Sequence, residues 1–206
     1  MKRVVITGMG IISSIGNNLK DVEKSLYQGN SGIVFAEDYK AMGFRSHVKG
    51  NININLNEKI DRRLLRFMGD GAAYAFLSME QAIEDSGLEP NNVSNVRSGL
   101  VVGSGGPSTS SMMNSFDIAR EKSPKRVGPY MVPKCMSSTV SANLANSFKI
   151  KGLNFSITSA CSTSAHCITV GSDAIRSGSQ DIVFAGGGEE IHWSLSVLFD
   201  AMAALS

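Results

Sequence analysis

The chain has 206 residues and a mass of 21.9 kDa, enough for one sizeable domain or two small ones. Hydrophobic residues make up 42% and charged residues 18%, so the chain can fill a core, and no apolar run approaches the roughly 18–20 residues that span a bilayer. A net charge of +2 excludes a protein whose main role is to coat nucleic acid. Cys135, Cys161 and Cys167 match no zinc spacing, so we expect no metal and a reducing, cytoplasmic compartment.

The first half of the chain predicts one strand, two helices and a surface excursion. β-branched residues at 3–7 predict a buried first strand that runs into a glycine-rich turn. A short helix is predicted at 21–28, ended by Gly29. Residues 31–57 are polar and predict an irregular surface excursion. Apolar residues at three- and four-residue steps then predict one helix over 61–86, with Asp61 as N-cap and Gly87 as stop.

The second half alternates between strands and helices. Strands are predicted at 98–103, 155–159 and 181–185, and helices at 136–149 and 161–177. This alternation predicts α/β layers around a largely parallel sheet. The apolar residues 199–206 carry no helix stop signal, so we expect the chain to end inside an element and to be part of a longer protein.

Cys161 stands where a β-type run meets a helical run. A thiol on the first turn of a helix faces unpaired backbone N–H groups and the positive end of the macrodipole, which favour a thiolate and any oxyanion beside it. Small neighbours leave room for a substrate. The alternative is a buried, inert cysteine, and that interpretation is preferred for Cys135 and Cys167. His166 lies five positions further along the helix, off the face of Cys161.

Four segments together resemble one enzyme family. Residues 158–167, TSACSTSAHC, resemble the active-site segment of β-ketoacyl-[acyl carrier protein] synthases. VVITGMG at 4–10, GPY at 128–130 and DIVFAGGGEE at 181–190 agree with it, and the AHC and GGGEE runs are most similar to the type I bacterial condensing enzymes. The resemblance implies a thiolase-like α/β fold. Residues 1–206 would be its N-terminal domain, half of a layered αβαβα body that is usually a homodimer.

The resemblance also implies a reaction. Cys161 would accept an acyl group from acyl carrier protein, with its own N–H in the oxyanion hole. Malonyl-carrier protein would then be decarboxylated and condensed to a product two carbons longer, in fatty acid biosynthesis. The family completes its site with two histidines and a lysine from a second half, and His47, His166 and His192 match none of those motifs. Condensation would therefore need a C-terminal half. No cofactor is implied beyond the phosphopantetheine that carries the substrates.

Further residues acquire expected roles from the same resemblance. The acyl pocket is expected to involve Phe199, Met136 contributed across the dimer, and a loop near the tunnel end at Gly105, Gly106 and Pro107. An acidic carrier protein would be attracted by two basic groups: Arg62, Arg63 and Arg66 form the first, and Lys122, Lys125 and Arg126 form the second. Ordinary core packing and a solvated charged face are the respective alternatives.

Three alternative functions differ in how well the sequence fits them. The run at 103–106 lacks the lysine and spacing of a nucleotide-binding loop. A thiolase-like enzyme acting on coenzyme A thioesters fits the Ser-Ala-Cys-Ser-Thr-Ser context and the basic groups less well. A non-catalytic module for dimerisation or carrier binding remains an alternative. The expected partners are acyl carrier protein, a second copy of the chain and the C-terminal half, but neither nucleic acid nor a membrane.

Overall fold

The computed structural model describes residues 2–206, in which strands and helices alternate. The strands are β1 (Ile33–Phe35), β2 (Val48–Gly50), β3 (Ser98–Gly103), β4 (Asn154–Phe155) and β5 (Ile182–Gly187). The helices are α1 (Leu19–Gln28), α2 (Glu37–Ala41), α3 (Leu56–Lys59), α4 (Arg62–Leu65), α5 (Asp70–Ser86), α6 (Pro90–Val93), α7 (Thr109–Glu121), α8 (Met131–Cys135), α9 (Thr139–Phe148), α10 (Thr163–Arg176) and α11 (Trp193–Ala201). Short 3₁₀ turns occupy Pro124–Arg126 and Ala160–Ser162.

A three-stranded parallel sheet in the order β4-β3-β5 forms the centre, as the alternation of elements predicted. β3 is buried along its whole length, which explains its continuous run of small and apolar residues. Leu100 and Val102 face the helices α5 and α9 and belong to the main core. Alternate strand residues point to the other face, where Val183 of β5 packs close to Gly171 of α10. Helices therefore cover both faces of the sheet.

The two glycines that were predicted to end helices, Gly29 and Gly87, are confirmed in that role. α1 begins at Asn18, whose side chain accepts a hydrogen bond from Asp21 N, and ends at Gly29 with φ of 66°. Gly87 ends α5 with φ of 65°. The predicted helix over 61–86, however, is two helices. Asp61 caps only α4, and the chain turns at 66–69 so that Met68 enters the core before α5 begins.

The predicted buried strand at 3–7 is wrong. Residues 2–12 adopt no regular element, and Val5 and Ile6 are exposed. The segment after it lies along α5: Met9 N donates to the carboxylate of Asp85, and Ile11 N donates to the side chain of Gln81. Helix side chains, rather than a neighbouring strand, therefore satisfy these two backbone donors.

The excursion at 31–57 is more ordered than its polarity predicted. β1 and β2 pair antiparallel, with Ile33 opposite Gly50. Tyr39 is buried in a small separate core, against which Trp193 of α11 packs. Asp200, also on α11, accepts hydrogen bonds from Arg45 N and from the next N–H along the chain. Contacts with a helix about 150 residues further along the chain therefore order this segment.

Three other boundaries differ from the predicted ones. The helix predicted at 136–149 begins at Thr139, and the strand predicted at 155–159 is only Asn154–Phe155. The helix predicted at 161–177 begins at Thr163, after a 3₁₀ turn. Residues 159, 161 and 162, which were predicted to lie in this strand and this helix, belong instead to the turn that carries Cys161. Within residues 2–206 no helix is both long and apolar enough to cross a bilayer.

Candidate active site

The carboxyl ends of the three parallel strands meet at one edge of the sheet. Gly103 ends β3 so close to the chain after β4 that a Cβ there would overlap the carbonyl oxygen of Ile157. Gly188, after β5, donates its N–H to Gly103 O at 3.1 Å. Crevices at the carboxyl ends of parallel strands are the usual ligand sites of α/β sheets. The three segments that follow the strands therefore define the candidate site.

The segment after β4 is a strained turn, residues 159–163, called the elbow below. Ala160 has φ of 47°, in the left-handed region that is uncommon for a residue with a side chain. The buried Thr163 holds it there, because its Oγ1 accepts from Ser159 N and donates to Ala160 O, both at 2.8 Å. One hydroxyl thus joins the two sides of the elbow.

Cys161 lies at the tip of the elbow and is exposed. It precedes the 14-residue helix α10 by two residues. Its backbone N–H donates no hydrogen bond to any of residues 2–206. A thiol with room for a substrate and a free N–H beside it has the elements needed for nucleophilic attack and for binding the oxyanion that follows.

The other two thiols lie in different surroundings. Cys167 is fully buried, and burial raises the pKa of its thiol. Cys135 ends α8 and is half-buried; burial and then the Glu190 carboxylate raise its pKa, against a smaller opposing effect of Lys134. Both environments disfavour a thiolate. Cys161 is the exposed thiol of the three.

None of the three histidines is hydrogen-bonded to Cys161. His47 Nε2 lies 3.0 Å from Phe44 O, and His192 contacts Ser194 at the start of α11. His166 is exposed on α10. Within the described residues, no histidine is therefore placed to exchange a proton with the thiol directly.

The segment after β3, residues 104–110, is the glycine loop; its last two residues are the first two of α7, and it contains Gly105, Gly106 and Pro107. All three are half-buried. A Cβ on Gly105 would stand 3.4 Å from Ala160 O, so the loop borders the elbow. Gly106 and Pro107 line a cavity of only about 10 Å³, enough for one water molecule and too small for an acyl chain. An acyl tunnel at this loop remains a prediction.

The segment after β5 contains Glu189 and Glu190, the last two residues of the motif at 181–190. Glu189 accepts hydrogen bonds from Gly105 N and Ser104 Oγ, and Glu190 accepts from Ser110 N. Burial, with smaller contributions from the carboxylates of Asp70 and Glu190, raises the pKa of Tyr74 to about 12. Two adjacent carboxylates shortly after a predicted strand are a signal that could have drawn attention to this cluster.

The two expected pocket residues lie on different helices. Phe199 is on α11 and 42% exposed, next to Leu198, which is 60% exposed. Met136 follows the last residue of α8 and is half-buried. α11 also contacts α7, the helix that follows the glycine loop. An exposed apolar strip on α11 is compatible with a wall of an acyl pocket, and that role remains a prediction for both residues.

Both basic groups are exposed, and Arg66 of the first group contacts Tyr130, which lies close in sequence to the second group. Arg62 and Arg63 lie on α4, and Arg66 follows it. The Arg66 guanidinium lies 5.1 Å from the ring centroids of both Phe67 and Tyr130. Tyr130 follows the second basic group, Lys122, Lys125 and Arg126, by four residues. The tertiary structure therefore brings Arg66 of the first group against Tyr130, which is 64 residues away in sequence.

Comparison with known proteins gives matches along the whole chain. Residues 1–206 match the family model described as "Beta-ketoacyl synthase, N-terminal domain". The 3-oxoacyl-[acyl-carrier-protein] synthase 1 of Escherichia coli (strain K12) is 55% identical over 208 residues, which is 100% of this chain and 51% of that protein. The enzyme of the same name from Haemophilus influenzae is 53% identical over 207 residues, again 51% of its length. The chain thus spans about half the length of the curated relatives it matches.

Solved structures show the same fold. A β-ketoacyl synthase from Burkholderia phymatum STM815 superposes with a TM-score of 0.89 at 26% identity, covering 100% of this chain and 51% of that one. The ishigamide ketosynthase/chain length factor superposes with a TM-score of 0.88 at 24% identity, covering 100% of this chain and 52% of that one. The predicted thiolase-like α/β fold is confirmed.

Proposed function

The chain belongs to the β-ketoacyl synthase family, and we propose that it is the N-terminal half of a 3-oxoacyl-[acyl-carrier-protein] synthase that elongates fatty acids. The observation that carries the proposal is the placement of Cys161: exposed, at a strained elbow, before a long helix and with a free N–H. The similarity to 3-oxoacyl-[acyl-carrier-protein] synthases 1 supports the choice of reaction.

The first half-reaction uses groups of this chain. Cys161 Sγ attacks the carbonyl carbon of an acyl thioester, and the oxygen takes up negative charge next to the Cys161 N–H. The bond from carbon to the pantetheine sulfur then breaks, and that sulfur leaves as a thiol after taking up a proton. Exchange of one thioester for another is nearly balanced in energy, which suits a sulfur nucleophile.

The second half-reaction needs groups from outside residues 1–206. Malonyl-carrier protein loses CO₂, the resulting carbanion attacks the acyl carbon, and Cys161 Sγ leaves as the new C–C bond forms. The family's histidines and lysine have no counterpart at His47, His166 or His192, which are not hydrogen-bonded to Cys161. Condensation is therefore assigned to the complete enzyme, and acyl acceptance to Cys161.

We assign carrier-protein docking to the two basic groups and acyl binding to Phe199, Met136 and the glycine loop. The exposed side chains of Lys122, Lys125 and Arg126 can attract an acidic carrier protein, mainly by raising the association rate. Pairing of two copies would let Met136 contribute to the partner's pocket. No cofactor is needed beyond phosphopantetheine, and three unpaired cysteines suit the cytoplasm.

The assignment of the nucleophile is tested by labelling the full-length protein with cerulenin, a cysteine-directed inhibitor of condensing enzymes, followed by peptide mass spectrometry. We expect one adduct, on Cys161, with none on Cys135 or Cys167 and none in Cys161→Ser. Equal labelling of the three cysteines, or none, would instead support the non-catalytic module. Faster acylation by acyl-CoA than by acyl carrier protein would favour the thiolase-like alternative.

The docking surface is tested separately with charge reversal. Lys125→Glu is expected to lower the association rate of acyl carrier protein several-fold, and the effect should shrink at high salt. Lys151→Glu makes the same change at an exposed lysine outside both basic groups and serves as the control. Equal rates for the two variants would contradict the proposed docking surface.

A further inference from the structure

Two adjacent carboxylates, Glu189 and Glu190, join the end of β5 to the glycine loop. Glu189 Oε2 accepts from Gly105 N at 2.8 Å, and its Oε1 lies 3.0 Å from Ser104 Oγ, whose one proton is shared with Gly106 O at 2.7 Å. Glu190 is buried and holds the other end of the loop, accepting from Ser108 Oγ at 2.8 Å and from Ser110 N at 2.9 Å. The loop is thus held at both ends by hydrogen bonds to charged acceptors, which are stronger than neutral ones.

The end held by Glu189 borders the candidate nucleophile. A Cβ at Gly105 would stand 2.7 Å from Glu189 Oε2 and 3.4 Å from Ala160 O. Ala160 is the residue before Cys161, and its carbonyl is the one fixed by Thr163. The Glu189 carboxylate is therefore bonded to the loop backbone, and the loop passes beside the residue that precedes Cys161. Movement of the carboxylate away from Gly105 N would free the loop beside the thiol.

The contact uses both oxygens of the Glu189 carboxylate, one toward Gly105 N and one toward Ser104 Oγ. A carboxylate accepts from both Gly105 N and Ser104 Oγ, whereas a glutamine offers one acceptor oxygen and two donors. An alanine offers neither. A series from Glu to Gln to Ala at position 189 should therefore release the loop stepwise, without adding bulk to the site.

We propose that Glu189 is a positioning residue that sets the width of the opening beside Cys161 Sγ by tethering Ser104 and Gly105, while Glu190 anchors the far end of the glycine loop. The inference rests on the proposed function, since the opening matters as the path of a thioester to Cys161. Glu189 acts through the loop backbone and takes no part in bond making.

The test compares two alkylating reagents of different size at Cys161 of the full-length protein. Rates of modification by iodoacetamide and by N-(1-pyrenyl)maleimide are measured from the Cys161 peptide. In Glu189→Ala we expect the ratio of the bulky to the small reagent's rate to rise by about tenfold or more, the factor that corresponds to loss of one charged hydrogen bond. Glu189→Gln should lie between the alanine variant and the wild type.

Two further variants make the result unambiguous. Ser104→Ala removes the hydroxyl that contacts both Glu189 Oε1 and Gly106 O and should raise the ratio in the same direction, even if Glu189→Ala folds poorly. Glu84→Ala removes an exposed carboxylate on α5 and should leave the ratio at the wild-type value. A ratio unchanged or lowered in Glu189→Ala and Ser104→Ala, or raised equally in Glu84→Ala, overturns the proposal.

The outcome is separable from that of the proposed function. Alkylation ratios report the opening at Cys161 whether or not the cysteine accepts acyl groups. If acyl carrier protein fails to acylate Cys161 while the ratio responds to Glu189, the proposed reaction fails and the positioning role stands. If acylation occurs and the ratio is insensitive, the reverse conclusion holds.

Discussion

Replacing Thr163 with valine removes the hydroxyl that joins the two sides of the elbow. Valine has nearly the same shape, so the change leaves no cavity and isolates the loss of two hydrogen bonds, each 2.8 Å long. The donation to Ala160 O is partly redundant, because the Thr163 N–H also donates to that carbonyl. The donation from Ser159 N is not, because Thr163 Oγ1 is its acceptor.

The expected cost follows from that difference. An N–H left without an acceptor in a partly buried position costs about 1–3 kcal/mol. Left-handed backbone at Ala160 costs about 1–2 kcal/mol, and the elbow can recover part of this by relaxing once the hydroxyl is gone. We therefore expect the free energy of unfolding to fall by about 2 kcal/mol and the Ala160–Cys161 segment to shift.

Two measurements on Thr163→Val check this reasoning. Urea denaturation gives the loss of unfolding free energy, and single-turnover acylation of Cys161 by acyl carrier protein should slow by about tenfold, because small displacements of a nucleophile cost large factors in rate. Thr169→Val is the matched control, since Thr169 lies exposed on the same helix and its hydroxyl donates to Ala165 O. Unfolding energy and acylation rate both equal to those of the control would refute the role of Thr163.

Three further predictions concern stability and reactivity. The backbone N–H of Arg45, followed by that of the next residue, lowers the pKa of Asp200. Asp200 therefore stabilises the fold above the pKa it has when unfolded, and the advantage of wild type over Asp200→Asn in urea should persist down to about pH 4 and shrink as pH falls below it. Gly103→Ala should yield no folded protein, because a Cβ there would overlap Ile157 O. Gly29→Ala should lower the free energy of unfolding, measured by thermal melts, by about 1 kcal/mol, because Gly29 has φ of 66° although a Cβ there would meet no atom within 4 Å. Iodoacetamide should modify Cys161 first in the native protein and all three cysteines alike in urea; equal native rates would contradict their different burial.

Features that depend on a few neighbouring residues could be predicted from the sequence. Gly29 and Gly87 stop their helices because only the local backbone decides whether a left-handed residue is tolerated. The run at 98–103 forms β3 with those bounds, since a strand covered on both faces needs apolar residues throughout. The position of Cys161 between a strand and a helix was visible in the same way, although the helix begins two residues later.

Features that depend on distant partners could not be predicted. β-branched residues at 3–7 suit an extended chain. Whether an extended chain joins a sheet depends on the hydrogen-bond donors and acceptors that lie beside it. In the following segment, Met9 N and Ile11 N donate to side chains of α5. Residues 31–57 are predicted to be irregular because they are polar, but part of this segment is ordered by contacts with Trp193 and Asp200 of α11. In both cases the deciding contact joins segments far apart in the chain.

Residue order alone predicted the cysteine, its position between a strand and a helix, and the family motifs around it. Each of these is a property of a short stretch of chain. The surroundings of that cysteine could not be predicted in this way. The Glu189 carboxylate meets Gly105 N across 84 positions of sequence, and Arg66 meets Tyr130 across 64. The first contact exists because parallel strands bring their carboxyl ends to one edge, and the second because Tyr130 packs beside Phe67 just after α4, so only the tertiary structure decides which side chains meet.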